Sequence, residues 1–264
     1  MSKYTCLNFE VRENVAHITL NRPEAANALN LALAQELEEV SLRCNEGADV
    51  RAVLLTGTGK LFCAGGDLKS FAAQPPEELA THLKRVTLYL HTAMNRFARM
   101  RAPLVMAVNG SAGGAGLSLI CAGDIVVAAE SARFTMSYTR IGLTPDGSST
   151  YYLPRIVGLR RAMDLALTNR ALTAREAEAI GIVTRVVPDG EVMTEAGKLA
   201  AELANGATMA LGGVKRLLYA SSQNTLAEQM ELETELIAEC SRTADAKEGI
   251  AAFLGKRAPK FSGK

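Results

Sequence analysis

Two small-residue stretches have the composition for carbonyl chemistry: Phe62-Cys63-Ala64-Gly65-Gly66-Asp67-Leu68-Lys69 and Val108-Asn109-Gly110-Ser111-Ala112-Gly113-Gly114-Ala115-Gly116. Each follows an apolar, strand-like run and opens a predicted helix. Their residues are small enough for a ligand to approach the backbone. Helix starts leave backbone N–H groups unpaired, so two of them converging on one oxygen form an anion site. In carbonyl chemistry that is an oxyanion hole, able to supply several kcal/mol to a transition state. Neither stretch is a dinucleotide or ATP fingerprint, since G-x-G-x-x-G with a downstream acid and G-K-[ST] are both missing.

A carboxylate stands at Asp146, in Gly142-Leu143-Thr144-Pro145-Asp146-Gly147-Ser148. From spacing alone, Asp followed by Gly-Ser-Ser reads first as a helix N-cap and second as a catalytic group. Cys63 has no adjacent base or cation, so it reads as a small core residue. A lone helical His91 reads by itself as packed or solvated, and His17 and His82 have no chemical context.

These groups need elements to position them. Leu7, Phe9 and Val11 alternate with polar residues, and Val15 to Leu20 completes a hairpin. Leu33, Leu37, Val40 and Cys44 share one face of a helix over Asn30 to Cys44. Ala52 to Leu55, Leu104 to Val108 and Ile125 to Ala129 are wholly apolar runs, as in strands buried on both faces. Helical patterns over Leu79–Met100 and Gly114–Ala122 separate them, which predicts crossover units and a mostly parallel sheet. After Ser148 the pattern is mainly helical, with one strand-like run from Ile182 to Val187. Gln74-Pro75-Pro76-Glu77 reads as a mobile loop beside the first glycine turn.

At 264 residues the chain suits one large domain, or a core with an appendage, and needs no covalent or metal staple. Lys+Arg 29 against Asp+Glu 28 gives a net charge of +1, which points away from nucleic acid and anionic membranes as general partners. The five cysteines are scattered, which favours reduced thiols over a disulfide framework or metal site. No signal-peptide pattern and no apolar run of membrane-spanning length is present, so a soluble cytoplasmic protein is expected.

Together these residues resemble the enoyl-CoA hydratase/isomerase (crotonase) superfamily along nearly the whole chain. The resemblance runs from Leu20-Asn21-Arg22-Pro23-Glu24-Ala25-Ala26-Asn27-Ala28-Leu29-Asn30 through both glycine turns to Cys121-Ala122-Gly123-Asp124-Ile125-Val126-Val127-Ala128. It continues through Ile141–Asp146, Leu153-Pro154-Arg155-Ile156-Val157-Gly158, Leu172–Ala177 and the closing Ala252-Phe253-Leu254-Gly255-Lys256-Arg257. It implies an α/β fold, a spiral of ββα turns over residues 1–200 that carries the CoA site. Residues 201–264 would be a helical region that assembles a homotrimer or a dimer of trimers. The substrate would be an acyl-CoA thioester, with no metal and no cofactor beyond the substrate's own coenzyme A.

Carried over position by position, the resemblance makes the backbone N–H groups of Gly66 and Ala115 the oxyanion donors. The Ala64 carbonyl would face the adenine, Asp67, Leu68 and Lys69 would line the CoA passage, and Arg22 would meet CoA phosphates. Phe253 and Lys256 would reach a neighbouring subunit's ligand. Hydratases of the family carry two glutamates, and the matching positions here are Ser118 and Tyr138. Both glutamates are missing, and Ser and Tyr are poor acid/base groups at neutral pH.

Asp146 falls where an isomerase branch of the family, acting on ring epoxides, dehydroadipyl-CoA and enoyl-CoAs, places its proton-transferring Asp. The expected activity is therefore the shift of a C=C bond from a 3-enoyl-CoA, or a ring-derived analogue, to the 2-enoyl form. Asp146 would be the shuttle, with Ser118, Tyr138 and His91 lining the pocket. The alternatives are a hydratase with unusual acid/base residues and a silent acyl-CoA-binding protein. A third is a dehalogenase of the 4-chlorobenzoyl-CoA type, whose His matches His91 in spacing and whose Trp is here Tyr138.

Overall fold

The apolar runs become strands of two sheets in the computed structural model, which describes residues 4–264. A hairpin of β1 (Leu7–Arg12) and β2 (Val15–Leu20) opens the chain. Helix α1 (Leu31–Glu46) is capped by Asn30 and buries Leu33, Leu37, Val40 and Cys44. There follow β3 (Ala52–Gly57), β4 (Leu61–Cys63), α2 (Leu68–Ala72) and α3 (Pro76–Arg99), then β5 (Leu104–Val108), β6 (Ser111–Gly113) and α4 (Ala115–Cys121). The next group is β7 (Ile125–Ala129), β8 (Arg133–Thr135), α5 (Ser149–Val157) and α6 (Leu159–Thr168). After it come β9 (Leu172–Thr173), α7 (Ala174–Ala179), β10 (Arg185–Val187) and α8 (Val192–Ala204). Three helices close the chain: α9 (Thr208–Ala220), α10 (Leu226–Ser241) and α11 (Ala244–Leu254).

The larger sheet has the order β1-β2-β3-β5-β7-β10, antiparallel only at the opening hairpin. The smaller has the order β4-β6-β8-β9, antiparallel only between β8 and β9. Successive pairs β3–β4, β5–β6 and β7–β8 each give one strand to each sheet before a helical stretch. This is a ββα spiral, and it stacks the ends of β4 and β6, where the glycine turns lie, side by side. β3 and β5 are buried at every residue, as a doubly covered strand requires.

Two expectations change. Gln74–Glu77 is not a free loop: Pro76 is the first residue of α3, where proline's fixed φ and missing N–H suit a helix start. The strand expected over Ile182–Val187 shortens to β10, because Ile182 and Val183 turn back to bond the Ala177 carbonyl of α7. Helix α8 packs on β3, β5 and β7, so residue 200 lies inside a core helix and the chain leaves the core only after Asn205. No helix among the described residues is long and apolar enough to cross a membrane.

The C-terminal tail is tied back to the fold. Asp245, buried at the start of α11, accepts from the Ser262 N–H at 2.6 Å and the Gly263 N–H at 2.8 Å. Its own N–H donates to the Lys264 carbonyl, and Arg51 reaches the Phe261 carbonyl at 3.1 Å. Asp245→Ala should cost about 2–3 kcal/mol, since hydrogen bonds to a charged acceptor are the stronger kind. Urea denaturation with limited proteolysis of the tail checks this, and an unchanged midpoint would contradict the tie.

Candidate active site

The two glycine turns touch. Gly65 takes φ +109°, and a Cβ there would lie 2.9 Å from the Gly113 carbonyl oxygen and 3.4 Å from the Ala115 nitrogen. Only glycine allows that approach. Leu29 fixes the first turn as a short bridge, donating to the Gly65 carbonyl at 2.7 Å and accepting from the Asp67 N–H at 3.0 Å. That pairing turns the intervening Gly66 N–H away from Leu29. Among the described residues neither the Gly66 nor the Ala115 N–H has a protein acceptor. Gly116 sits so close that a Cβ would meet the Cys63 carbonyl oxygen at 2.3 Å. Gly116→Ala should therefore cost about 1–3 kcal/mol and lower turnover with it. A thermal melt beside kcat tests this, and wild-type values for both would count against the contact.

Asp146 does not cap a helix with its side chain. α5 begins at Ser149, and Asp146 bonds it through its main-chain carbonyl, which accepts from the Ser149 N–H at 3.2 Å and the Ser149 hydroxyl at 2.9 Å. The carboxylate is free for another partner: the Tyr138 hydroxyl donates to its Oδ1 at 2.6 Å. Burial, and then the Asp146 charge and this bond, push the Tyr138 phenol far above its ordinary range, so it stays a protonated donor. Tyr138 also lies 2.9 Å from the Ser118 hydroxyl, which is fully buried. Ser118 is one turn along α4 from Ala115, and a Cβ at Gly114 would lie 4.0 Å from the Tyr138 ring. The carboxylate is thus two hydrogen bonds from the helix whose first residue, Ala115, has an N–H with no acceptor among the described residues.

Gly147 and Ser148 both take left-handed φ, +57° and +67°, so the chain swings sharply after Asp146. His91 of α3 meets this turn, its Nε2 accepting from the Gly147 N–H at 3.2 Å. On the same side opens a cavity of about 1080 Å³ lined by His91, Asp146, Tyr152, Met209, Tyr219 and Leu236 among others. Asp146 is common to both regions: hydrogen bonds join it to α4, and it also forms part of the cavity wall. Cys63 is fully buried and its thiol is pushed up to about 12, which fits an inert core residue. Among the described residues no cluster of His, Cys, Asp and Glu could hold a metal ion.

A family profile described as enoyl-CoA hydratase/isomerase matches residues 10–264. The 1,2-epoxyphenylacetyl-CoA isomerase of Escherichia coli K12 is 39% identical over 96% of this chain and 97% of its own length. A Rhodobacter capsulatus protein named as a probable enoyl-CoA hydratase is 40% identical over 99% of both chains. The crystal structure of enoyl-CoA hydratase from Bacillus anthracis superposes with a TM-score of 0.92 at 33% identity, covering 98% of this chain and all of the other. The chain belongs to the enoyl-CoA hydratase/isomerase family.

The other residues to which the family resemblance gives roles lie as follows. Arg22 pairs with Asp67 at 2.8 Å and also donates to the Ala28 carbonyl, joining the Leu20–Asn30 segment to the first turn. Burial works against the Asp67 carboxylate, but the Ser70 N–H and Arg22 outweigh it and hold its pKa below the usual range. Ala64, Leu68 and Lys69 are exposed around that turn. Phe253 is 84% exposed at the end of α11, with exposed Lys256 three residues on. Sequence reasoning missed the ion pair of Asp124 with Lys215, at 2.7 Å, which anchors α9 behind the cavity. Lys215 stands beside Arg216, and nothing in that sequence marks one of the two cations as buried. Asn27 is fully buried and ties its loop to the Thr58 and Leu61 carbonyls.

Proposed function

We propose that this enzyme moves a C=C double bond in an acyl-CoA, converting a 3-enoyl thioester or a ring-derived analogue to the conjugated 2-enoyl form. The observation that carries the reading is the setting of Asp146. It is the one carboxylate in the Ser118–Tyr138–Asp146 chain, oriented by a phenol that donates to it at 2.6 Å. The thioester oxygen would take hydrogen bonds from the Gly66 and Ala115 N–H groups, which acidifies the carbon alpha to the carbonyl. The Asp146 oxygen not bonded by Tyr138 removes a proton from that carbon, giving an enolate, and returns it at the gamma carbon as the double bond moves into conjugation. One carboxylate suffices because the proton taken is the proton given back.

Syn addition of water asks for more: one group to activate the water and another to handle the proton. Ser118 and a Tyr138 held protonated supply neither a second base nor an acid near neutrality. The large cavity beside Asp146 would receive the acyl group, and coenzyme A would enter as part of the substrate along Ala64, Asp67, Leu68 and Lys69. Exposed Leu226, Met230, Ile237, Ile250, Phe253 and Leu254 on α10 and α11 support a homotrimer or a dimer of trimers built through the C-terminal helices. Four buried, unpaired thiols suit a reducing cytoplasm. The test is isotopic. A 3-enoyl-CoA deuterated at the alpha carbon should yield product with deuterium at the gamma carbon in a single turnover. Complete exchange with solvent would overturn the single-carboxylate shuttle.

A further inference from the structure

The geometry points to His91 as a positioning residue that holds the Asp146 turn by accepting a hydrogen bond on Nε2, an inference that rests on the proposed role of Asp146. The turn has an unusual backbone: Gly147 and Ser148 are successive left-handed residues, and Ser148 is not glycine. A non-glycine residue persists in that region only where its surroundings fix it. On one side the fixing comes from α5, through the Asp146 carbonyl and Ser149. On the other it comes from α3, where His91 Nε2 takes the Gly147 N–H at 3.2 Å. Gly147 has little room to shift, since a Cβ there would lie 2.9 Å from Ser118 and 3.7 Å from Leu90. The N–H that His91 holds belongs to the residue directly after Asp146, so this bond fixes the peptide from which the catalytic carboxylate projects.

A nitrogen that accepts must carry no proton, so the ring is the neutral tautomer with its hydrogen on Nδ1. That assignment separates His91 from a general base, which would need Nε2 free for water or substrate. Its influence on catalysis passes through the placement of Asp146, and misplacement of a reacting group by about 1 Å can cost a hundredfold in rate.

Two measurements on the full-length protein test this. In the first, nitrogen-15 NMR of histidine-labelled protein at mildly alkaline pH should show His91 with its proton on Nδ1, coupled to an unprotonated Nε2. A protonated Nε2 would overturn the clamp. In the second, His91→Phe should lower kcat on a 3-enoyl-CoA by about a hundredfold with little change in KM. His91→Gln, whose side-chain oxygen reaches the same place, should restore most of the loss. Wild-type turnover in His91→Phe, or no recovery in His91→Gln, would overturn it. If the wild-type protein shifts no double bond, the isomerase reading fails, while the NMR result still decides whether His91 holds the turn.

Discussion

Asp146→Asn should lower kcat for conversion of a 3-enoyl-CoA to its conjugated form by about 10²–10⁴-fold, the usual contribution of a positioned general base. The substitution keeps the size of the side chain and an oxygen that can accept from Tyr138, now 2.6 Å from Oδ1. The left-handed turn at Gly147 and Ser148, the Ser149 contacts and the His91 bond involve main chain or other residues, so they are retained. What disappears is the group proposed to take and return the proton. Affinity for a substrate-like acyl-CoA should stay near the wild-type value, because in the proposed binding mode the two turns and the CoA passage hold the thioester. Steady-state kinetics paired with calorimetric titration separates the two effects. Unchanged turnover would remove Asp146 from its role, and loss of binding alone would recast it as a binding residue.

Lys215→Met should destabilise the protein by about 3–5 kcal/mol, because breaking a buried ion pair leaves its partner charged and uncompensated. The Lys215 ammonium lies 2.7 Å from Asp124 Oδ2 and also donates to the Phe97 and Ala102 carbonyls at 2.9 and 3.3 Å. Asp124 further accepts from the Leu104 N–H at 2.7 Å and the Tyr219 hydroxyl at 3.5 Å. Burial pushes the Asp124 carboxyl up and the Lys215 ammonium down, so each charge relies on the other to offset its lost hydration. The pair fastens α9 to the end of α3 and the entry to β5 and β7. Met209 and Tyr219 of α9 are part of the cavity wall, so the wall should loosen with it. A fall in Tm of roughly 10 °C is expected for a chain of this size. Replacing both partners by apolar residues should recover much of the loss, and a single variant as stable as the wild type would contradict the ledger of contacts.

The legible part of the fold was the part with strong patterns. β3, β5 and β7 are continuous apolar runs with polar ends, and α1 shows its buried face at helical spacing. The smaller sheet was not visible because β4, β6 and β8 are three residues long and β9 is two, too short for any alternation to register. Helix α9 gives only a weak helical signal of its own, because Gly212 and Gly213 lower its propensity. Gly212 is there for packing, since a Cβ would fall 2.7 Å from the Arg101 Cα.

The site divides in the same way. The glycine turns were readable because composition marks them, whereas Asp146 was singled out as a catalytic candidate only through the family resemblance. The partners of Asp146 were not readable, since nothing in the sequence says that the Tyr138 phenol, eight positions away, closes on Oδ1. The preference for an N-cap at Asp146 came from a rule about local spacing, and it is the main-chain carbonyl that meets α5.

The most direct test of the account is the absorbance of the conjugated enoyl thioester, followed with purified protein on a 3-enoyl-CoA and, separately, on crotonyl-CoA. With Asp146 as proton shuttle, the band should grow from the first substrate and stay constant with the second. Loss of the band from crotonyl-CoA, with the 3-enoyl-CoA inert, would mean that water is added without the two glutamates and that Asp146 does not shuttle a proton between carbons.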